Sequence, residues 1–404
     1  MTKENLAFFG GTKSVNKTFE WPLFDDSEIK AVEEVLRSGK WGSPNCQDKV
    51  GEFEKEFAEY CGTKYAVSCV NGSVSLRIAL IASGIRPGDE VIVPPYTFIA
   101  TASTVIEANA VPVFVDICPE TFNLDPAKIE AAITPRTKAI IPVHFAGLAC
   151  DMDAIMAIAE KHGLTVIEDS AHGHGAEYKG RKLGSIGRAG SFSFQSSKNM
   201  TSGEGGIVVT NDEELYKMMA SLRNVGRVEG GQWYDHYNAG CNYRITQMQA
   251  VMLSAQLKRL EEQTRKRHEN GRYLAELLAD IDGIKPLKSG VGETLNCYHL
   301  FIFKYDPSAF NGLSRDEFVQ YLNAEGVPSL KGYPYPLYKQ PLFQEKRFMC
   351  YAIPEEVDYT NVSCPSAEQA CEESVWILQN TLLGEKEDME SFAEAIRKIQ
   401  AAFA

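Results

Sequence analysis

Between Lys64 and Val209, short apolar runs alternate with amphipathic segments. The runs are Tyr65–Val70, Val91–Pro94, Val111–Ile117, Ala139–Val143, Thr165–Ile167, Gly190–Phe194 and Gly206–Val209. They are rich in Val, Ile and Phe and are bounded by Gly, Pro or Asp, the marks of strands buried on both faces. Between them, Ser73–Ser83, Ala100–Glu107, Pro126–Ala132 and Met152–His162 carry the spacing of helices. Buried strands joined by helical crossovers predict an α/β fold, with a seven-stranded, mainly parallel sheet held between helices.

The flanks follow other patterns. Residues 1–25 form an arm, apolar at Phe8-Phe9 and again at Trp21-Pro22, expected to pack on another subunit or on its own core. Asp25 and Asp26 introduce a helix over Ser27 to Leu36, stopped by Ser38-Gly39, and Glu52 to Tyr60 reads as another, stopped by Cys61-Gly62. From Thr246 to Leu277 one long helical stretch gathers its charges between Lys258 and His268, as a solvated or interdomain connecting helix does. A second region opens near Asp280–Gly283. It holds a strand at His299–Phe303, a capping box at Ser314–Glu317 opening a helix to Ala324, and helices at Ser366–Gln379 and Lys386–Ala402. The expected organisation is therefore an arm (1–25), a large domain with its connecting helix (26–279) and a smaller C-terminal α+β domain (280–404).

Composition narrows the class. With 404 residues the chain is long enough for two or three domains, and 44% hydrophobic with 24% charged residues is ordinary for a soluble globular protein. The net charge of −13 disfavours nucleic acid or an anionic membrane surface as partner, since both need a basic face. None of the 10 cysteines forms a Cys-x-x-Cys pair, and several sit in apolar stretches, so they read as buried free thiols of a reducing compartment. With no signal pattern and no membrane-spanning apolar run, a cytoplasmic enzyme is the expectation.

In open α/β sheets ligands sit beyond the carboxyl ends of the strands. The first strand exits into Asn71-Gly72-Ser73-Val74 at a helix start, which suits a phosphate, although Ser73 serves equally as a plain N-cap. The second exits into Pro94-Pro95-Tyr96-Thr97-Phe98, where an aromatic either stacks on a flat ligand or joins the core. The fifth exits into Glu168-Asp169-Ser170-Ala171-His172-Gly173-His174. A carboxylate there needs a partner, and a protonated ring nitrogen is one. A metal site on Asp169, His172 and His174 is the lesser reading, because the other histidines offer no matching ligand spacing. The sixth exits through Ser193 to Lys198 and then Gly203-Glu204-Gly205-Gly206. A lysine held there is either solvated or the amine of Schiff-base chemistry. A phosphate cradle, a stacking ring, a carboxylate and an amine together describe pyridoxal phosphate (PLP).

At this point the chain resembles the sugar aminotransferases of the DegT/DnrJ/StrS family, which share PLP fold type I with aspartate aminotransferase. The likeness runs from Ser38-Gly39 and Phe53-Glu54 through Gly72-Ser73, Pro87–Pro94, Pro112–Asp116, Glu168-Asp169 and Phe192–Phe194. It continues through Lys198, Gly203–Gly206 and Asn242–Arg244 to Leu382–Gly384. Where the family more often has threonine then alanine, this chain has Ser73 and Val74. The resemblance implies that Lys198 holds the cofactor covalently and shuttles the proton, and that Asp169 pairs with the pyridine nitrogen. It further implies that Phe98 stacks on the ring, that Gly72, Ser73, Val74 and Ser193 hold the phosphate, and that His172 reaches the phenolic oxygen. Asn242 or Arg244 is implied to reach the cofactor or substrate of the neighbouring subunit of a homodimer, and no metal is implied.

The implied reaction is ping-pong transfer of an amino group from L-glutamate or L-glutamine to a keto sugar or cyclitol. Gly10-Gly11-Thr12 with Trp21-Pro22, the Phe194–Lys198 spelling and Gly332–Tyr338 look closest to members acting on inosose-type rings or aminoshikimate intermediates. Most of the family acts on nucleotide-linked keto-hexoses. The alternatives are a 3-amino-5-hydroxybenzoate-synthase-like enzyme, a PLP-dependent sugar dehydratase and a regulatory protein of the same fold. Such dehydratases carry histidine where this chain has Lys198, and the intact set of Lys198, Asp169, Ser193 and Phe98 speaks against the regulatory reading.

Overall fold

The computed structural model describes residues 2–44 and 48–403; Cys46 lies outside them. The apolar runs form β1 (Tyr65–Cys69), β2 (Glu90–Val93), β3 (Val111–Phe114), β4 (Thr137–Ile140) and β5 (Thr165–Asp169). After a short hairpin of β6 (Glu177–Tyr178) and β7 (Arg181–Lys182) come β8 (Ala189–Ser193) and β9 (Gly206–Thr210). Seven of these make one sheet in the order β1-β9-β8-β5-β4-β2-β3, with side chains buried along almost its whole length. Every neighbouring pair is parallel except those of β9, which runs against both β8 and β1. The reversal matters for the site. It sets Gly206, the first residue of β9, opposite Cys69 and Ser193, the last residues of β1 and β8.

The crossover helices Ala100–Glu107 and Met152–His162 lie where their periodicity places them, and Glu213–Arg223, capped by Asp212, adds another. The long helix Gln247–Leu278 buries Ala250, Leu253, Leu260, Leu274 and Leu278 along one face, while Lys258, Glu262 and Arg265 of its charged middle are exposed. Two of its central charges are paired with other elements, Arg259 with Glu28 and Glu261 with Lys182.

Beyond it come β10 (Ile284–Pro286), β11 (Glu293–Leu295), β12 (Leu300–Tyr305), β13 (Ser329–Lys331) and β14 (Ser374–Leu378). β11 joins the β6–β7 hairpin, and the other four form an antiparallel sheet ordered β10-β12-β14-β13. This corrects the helix expected over Ser366–Gln379. The helix is Pro365–Glu373, and Val375-Trp376-Ile377 then reads as what its β-branched and aromatic content favours, a strand paired on both sides. The capping box at Ser314 and the last helix, Lys386–Phe403, form as expected.

The arm packs on its own chain. Leu6 and Val15 are buried in the core around β12 and β14, Phe8 and Phe9 lie on Tyr321, and Glu325 accepts from the amides of Ala7 and Ser14. One continuous core also ties Val67, Val93 and Ile141 of the large sheet to Leu300, Ile302 and Trp376 of the smaller one. Six of the nine described cysteines are buried, but Cys241 and Cys350 are exposed, contrary to a uniformly buried set. No helix among the described residues is long and apolar enough to cross a membrane.

Candidate active site

Except for Asn242 and Arg244, the predicted residues lie at or just after the carboxyl ends of the large sheet's strands. Asn71 caps helix Gly72–Ala82, its Oδ1 accepting from the Val74 amide at 2.9 Å. That commits the Val74 N–H to the cap. What remains to hold a phosphate is the first-turn amides of Gly72 and Ser73, which have no acceptor one turn earlier in the helix, and the hydroxyls of Ser73 and Ser193. Ser193 Oγ accepts from the Gln195 amide at 3.4 Å, which leaves its own proton to donate. Gly72 is required here because a Cβ on it would lie 2.6 Å from Ser193 Cβ. A Cβ on Gly206 would collide with the Asn71 carbonyl. Two missing side chains thus let three strand ends close around one small space, held by a 2.6 Å hydrogen bond between the Ser75 and Ser191 hydroxyls.

Asp169, at the end of β5, is buried and accepts from the Thr101 hydroxyl at 2.8 Å and the Ala171 amide at 3.2 Å. Burial pushes its carboxyl above the usual range. Those two neutral donors and the nearby Lys198 only partly offset the push. Its chain neighbour Glu168 points the other way and accepts from His144 Nε2 at 2.9 Å and from the amides of Gly184, Ile186 and Gly187. Burial pushes Glu168 up as well, but the His144 bond and these amides outweigh it and hold the carboxyl below its ordinary value.

Lys198 follows β8 in a turn closed by its own amide to Gln195 O at 2.9 Å. Thr201 braces the turn with bonds to Phe194 O and from the Gly203 amide, where φ is +81°. Outside the turn, Trp21 of the arm donates from Nε1 to Ser196 O at 2.9 Å. The residue is half-buried as a whole, yet its amine is shielded enough that its pKa falls to about 8, against the opposing pull of Asp169.

Phe98 is 58% exposed, so it is not a core residue, and its ring is free to stack. His172 is buried, with Nδ1 accepting from the Ala146 amide at 3.2 Å and its ring 4.1 Å from that of His299. His174 takes no part: it packs between Phe192 and Phe194 with both nitrogens sealed off. The metal reading therefore loses its geometry, and among the described residues no three His, Cys, Asp or Glu side chains group as ligands. Asn242 is exposed and Arg244 half-buried on the segment beside Asn224, whose Oδ1 accepts from Arg244 Nη1 at 2.7 Å. Their predicted role is toward a neighbouring subunit.

Sequence reasoning missed His299, Asn199 and Tyr333 as site residues. The His299 ring lies 4.1 Å from that of His172, Asn199 Oδ1 lies 3.1 Å from His299 Nδ1, and Tyr333 packs on Tyr96 and Phe145. His299 stands just before β12 and Tyr333 just after β13, far along the chain from the strand exits and without any local motif.

Residues 22–397 match the family model described as the DegT/DnrJ/EryC1/StrS aminotransferase family. This chain belongs to that family. An L-glutamine:2-deoxy-scyllo-inosose aminotransferase of Streptoalloteichus tenebrarius is 37% identical to this aminotransferase, over 98% of this chain and 97% of the relative. The crystal structure of 3-amino-5-hydroxybenzoic acid synthase superposes with a TM-score of 0.86 at 36% identity, covering 95% of this chain and 100% of the other. Bacillus subtilis NtdA with bound cofactor PMP superposes at 0.81 and 28% identity, covering 96% and 87%. The protein is a PLP-dependent aminotransferase of fold type I. Its residues fit that cofactor. The space kept open by Gly72 and Gly206 sits beside free helix-start amides, a buried carboxylate has only neutral donors, and a desolvated amine lies close to it.

Proposed function

We propose that this aminotransferase moves the amino group of L-glutamine or L-glutamate onto the keto carbon of a polyhydroxylated ring, either an inosose-like cyclitol or a nucleotide-linked keto-hexose, by a ping-pong mechanism. The carrying observation is the pairing of a shielded lysine amine with a raised, buried carboxylate across a glycine-built cradle. The likeness to a glutamine-dependent inosose aminotransferase supports the acceptor and donor classes. That to 3-amino-5-hydroxybenzoic acid synthase supports an enzyme of that kind as the second reading.

When bound, the cofactor would supply the electron sink that amino transfer needs. Lys198 would hold it through its amine and, once that amine is free, would move a proton at the substrate carbon. A pKa near 8 leaves a useful share of this amine neutral at physiological pH. Asp169 would pair with the pyridine nitrogen and favour its protonated form, which would give this buried carboxylate a direct cationic partner. Gly72, Ser73, Val74 and Ser193 form the phosphate cradle, in which Val74 contributes by anchoring the cap rather than by its amide. Phe98 would stack on the ring, and His172, with its proton on Nε2, would donate to the phenolic oxygen.

Asn242 and Arg244 complete the site of a second subunit in a homodimer. Support comes from the outward-facing Trp233, Tyr234 and Tyr237 of the same segment. The working division of the chain is an arm (1–25), a cofactor-binding domain (26–279) and a small domain (280–404), and the location is cytoplasmic, in keeping with the buried free thiols. The test is spectral: PLP-loaded protein given L-glutamine converts to the pyridoxamine absorbance, and Lys198→Ala does not. No conversion with any amino donor, or normal conversion in Lys198→Ala, overturns the reading.

A further inference from the structure

The two imidazoles that meet beside Lys198, tilted 35° to each other, have opposite hydrogen-bonding polarity, and backbone and amide contacts set it. A neutral imidazole carries its proton on the nitrogen that is not already accepting. His172 Nδ1 accepts from the Ala146 amide, so its proton lies on Nε2. For His299 the order is reversed. Asn199 Nδ2 donates to Cys297 O at 2.8 Å, which fixes its Oδ1 as an acceptor, and that oxygen lies 3.1 Å from His299 Nδ1. The proton of His299 is therefore on Nδ1, and its Nε2 is bare. Burial, and then the Lys198 charge, keep both rings neutral. Neither Nε2 has a protein partner among the described residues, and neither is sealed off as the His174 nitrogens are.

We propose that His299 Nε2 is a specificity element that accepts a hydrogen bond from a hydroxyl of the keto acceptor. This rests on the reading that the acceptor is a polyhydroxylated ring. His172 can offer its N–H to an oxygen acceptor, whereas the bare nitrogen of His299, whose ring centroid lies 4.1 Å from that of His172, can only be satisfied by a donor. A ring hydroxyl beside the reacting carbonyl is such a donor, and a deoxy ring leaves the nitrogen unpaired. Discrimination by a buried polar group left without its partner is the stronger kind.

The first test needs no substitution. Nitrogen-15 NMR of histidine-labelled holoenzyme is expected to show His299 with a protonated Nδ1 and a pyridine-like Nε2, and His172 with the reverse. A proton on His299 Nε2 overturns the inference. The second compares half-reactions in His299→Phe, which keeps a ring against His172. Conversion by L-glutamine is expected to stay within about twofold of the parent, while KM for a keto ring with a hydroxyl beside the carbonyl rises about tenfold. KM for the corresponding deoxy ring is expected to be unchanged. Equal losses on both rings, a matching loss in the donor half-reaction, or no loss at all overturns the inference. A parent enzyme that aminates no keto ring overturns the proposed function itself, so the two failures are distinguishable.

Discussion

The two faces of the sheet at the end of β5 hold two carboxylates that are adjacent in the chain and opposite in circumstance. Glu168 is wholly buried and has four donors, among them the His144 imidazole. Asp169 is nearly as buried and has two neutral donors. The first is held below its ordinary pKa and the second above it. Burial alone does not mark a functional carboxylate; the difference lies in what is missing. Glu168 is complete and pins the 184–187 turn to the strand. Asp169 has no charge-assisted hydrogen bond, only the partial pull of Lys198, and in the proposed function a protonated ring nitrogen would complete it.

This contrast can be broken in stages. Asp169→Asn removes the counterion of the ring and is expected to lower kcat by about 10³-fold, measured by steady-state amino transfer. Because its carboxyl is raised in the folded state, its charge opposes folding at neutral pH, so the Asp169→Asn apoprotein is expected to melt above the parent at pH 7. Glu168→Gln gives the reverse pattern: about 3 kcal/mol of stability lost in denaturant unfolding, from a broken buried pair, with the donor half-reaction of the surviving folded enzyme retained.

The sign with pH follows. Glu168, lowered when folded, contributes stability above its unfolded pKa near 4.5 that is lost as pH falls through the folded value. Glu168→Gln should therefore flatten the acid limb of a stability–pH curve. His174 steepens that limb. With a folded pKa of about 3 against 6.5 unfolded, it takes up a proton only on unfolding, so each unit of acidification between those values costs up to about 1.4 kcal/mol. His174→Gln should remove that slope in urea titrations. Lys198 acts at the other end. Its amine loses its proton near pH 8, so capture of PLP by the apoprotein should quicken as pH rises toward 8 and level off above it, seen by stopped-flow absorbance. The smallest change is Thr101→Val, which deletes one neutral donor to Asp169. It should push the carboxyl further up and reduce kcat about fivefold, roughly one hydrogen bond's worth.

How much of this was legible beforehand follows from where the signals lie. All seven large-sheet strands announce themselves, because a strand buried on both faces must be apolar throughout. Lys198, Asp169 and Ser193 are legible because a strand's end and the loop after it are adjacent in sequence. The reversal of β9 is not, since a run of buried residues carries no direction. β14 was mistaken for the tail of a helix because the polar helix Pro365–Glu373 leads into it without a Gly or Pro break. His299 and Asn199 escaped notice for a related reason. Their roles depend on a ring contact and a side-chain bond between segments about a hundred positions apart, which no local pattern encodes. The tautomers of His172 and His299 are still further removed, being set by neighbours rather than by the histidines.

The unbroken core between the two sheets bears on how a substrate gets in. Tyr96 and Phe145 from the large sheet's loops meet Tyr333 and Trp376 from the small one, mostly edge to face. Each such pair adds about 0.5–1.5 kcal/mol beyond its buried area. Swinging the two parts open like a jaw would have to break several at once. The rear wall behind Asp169 therefore behaves as masonry rather than as a door. Traffic through the site falls to its unwalled side, where the Phe98 ring already stands in the open.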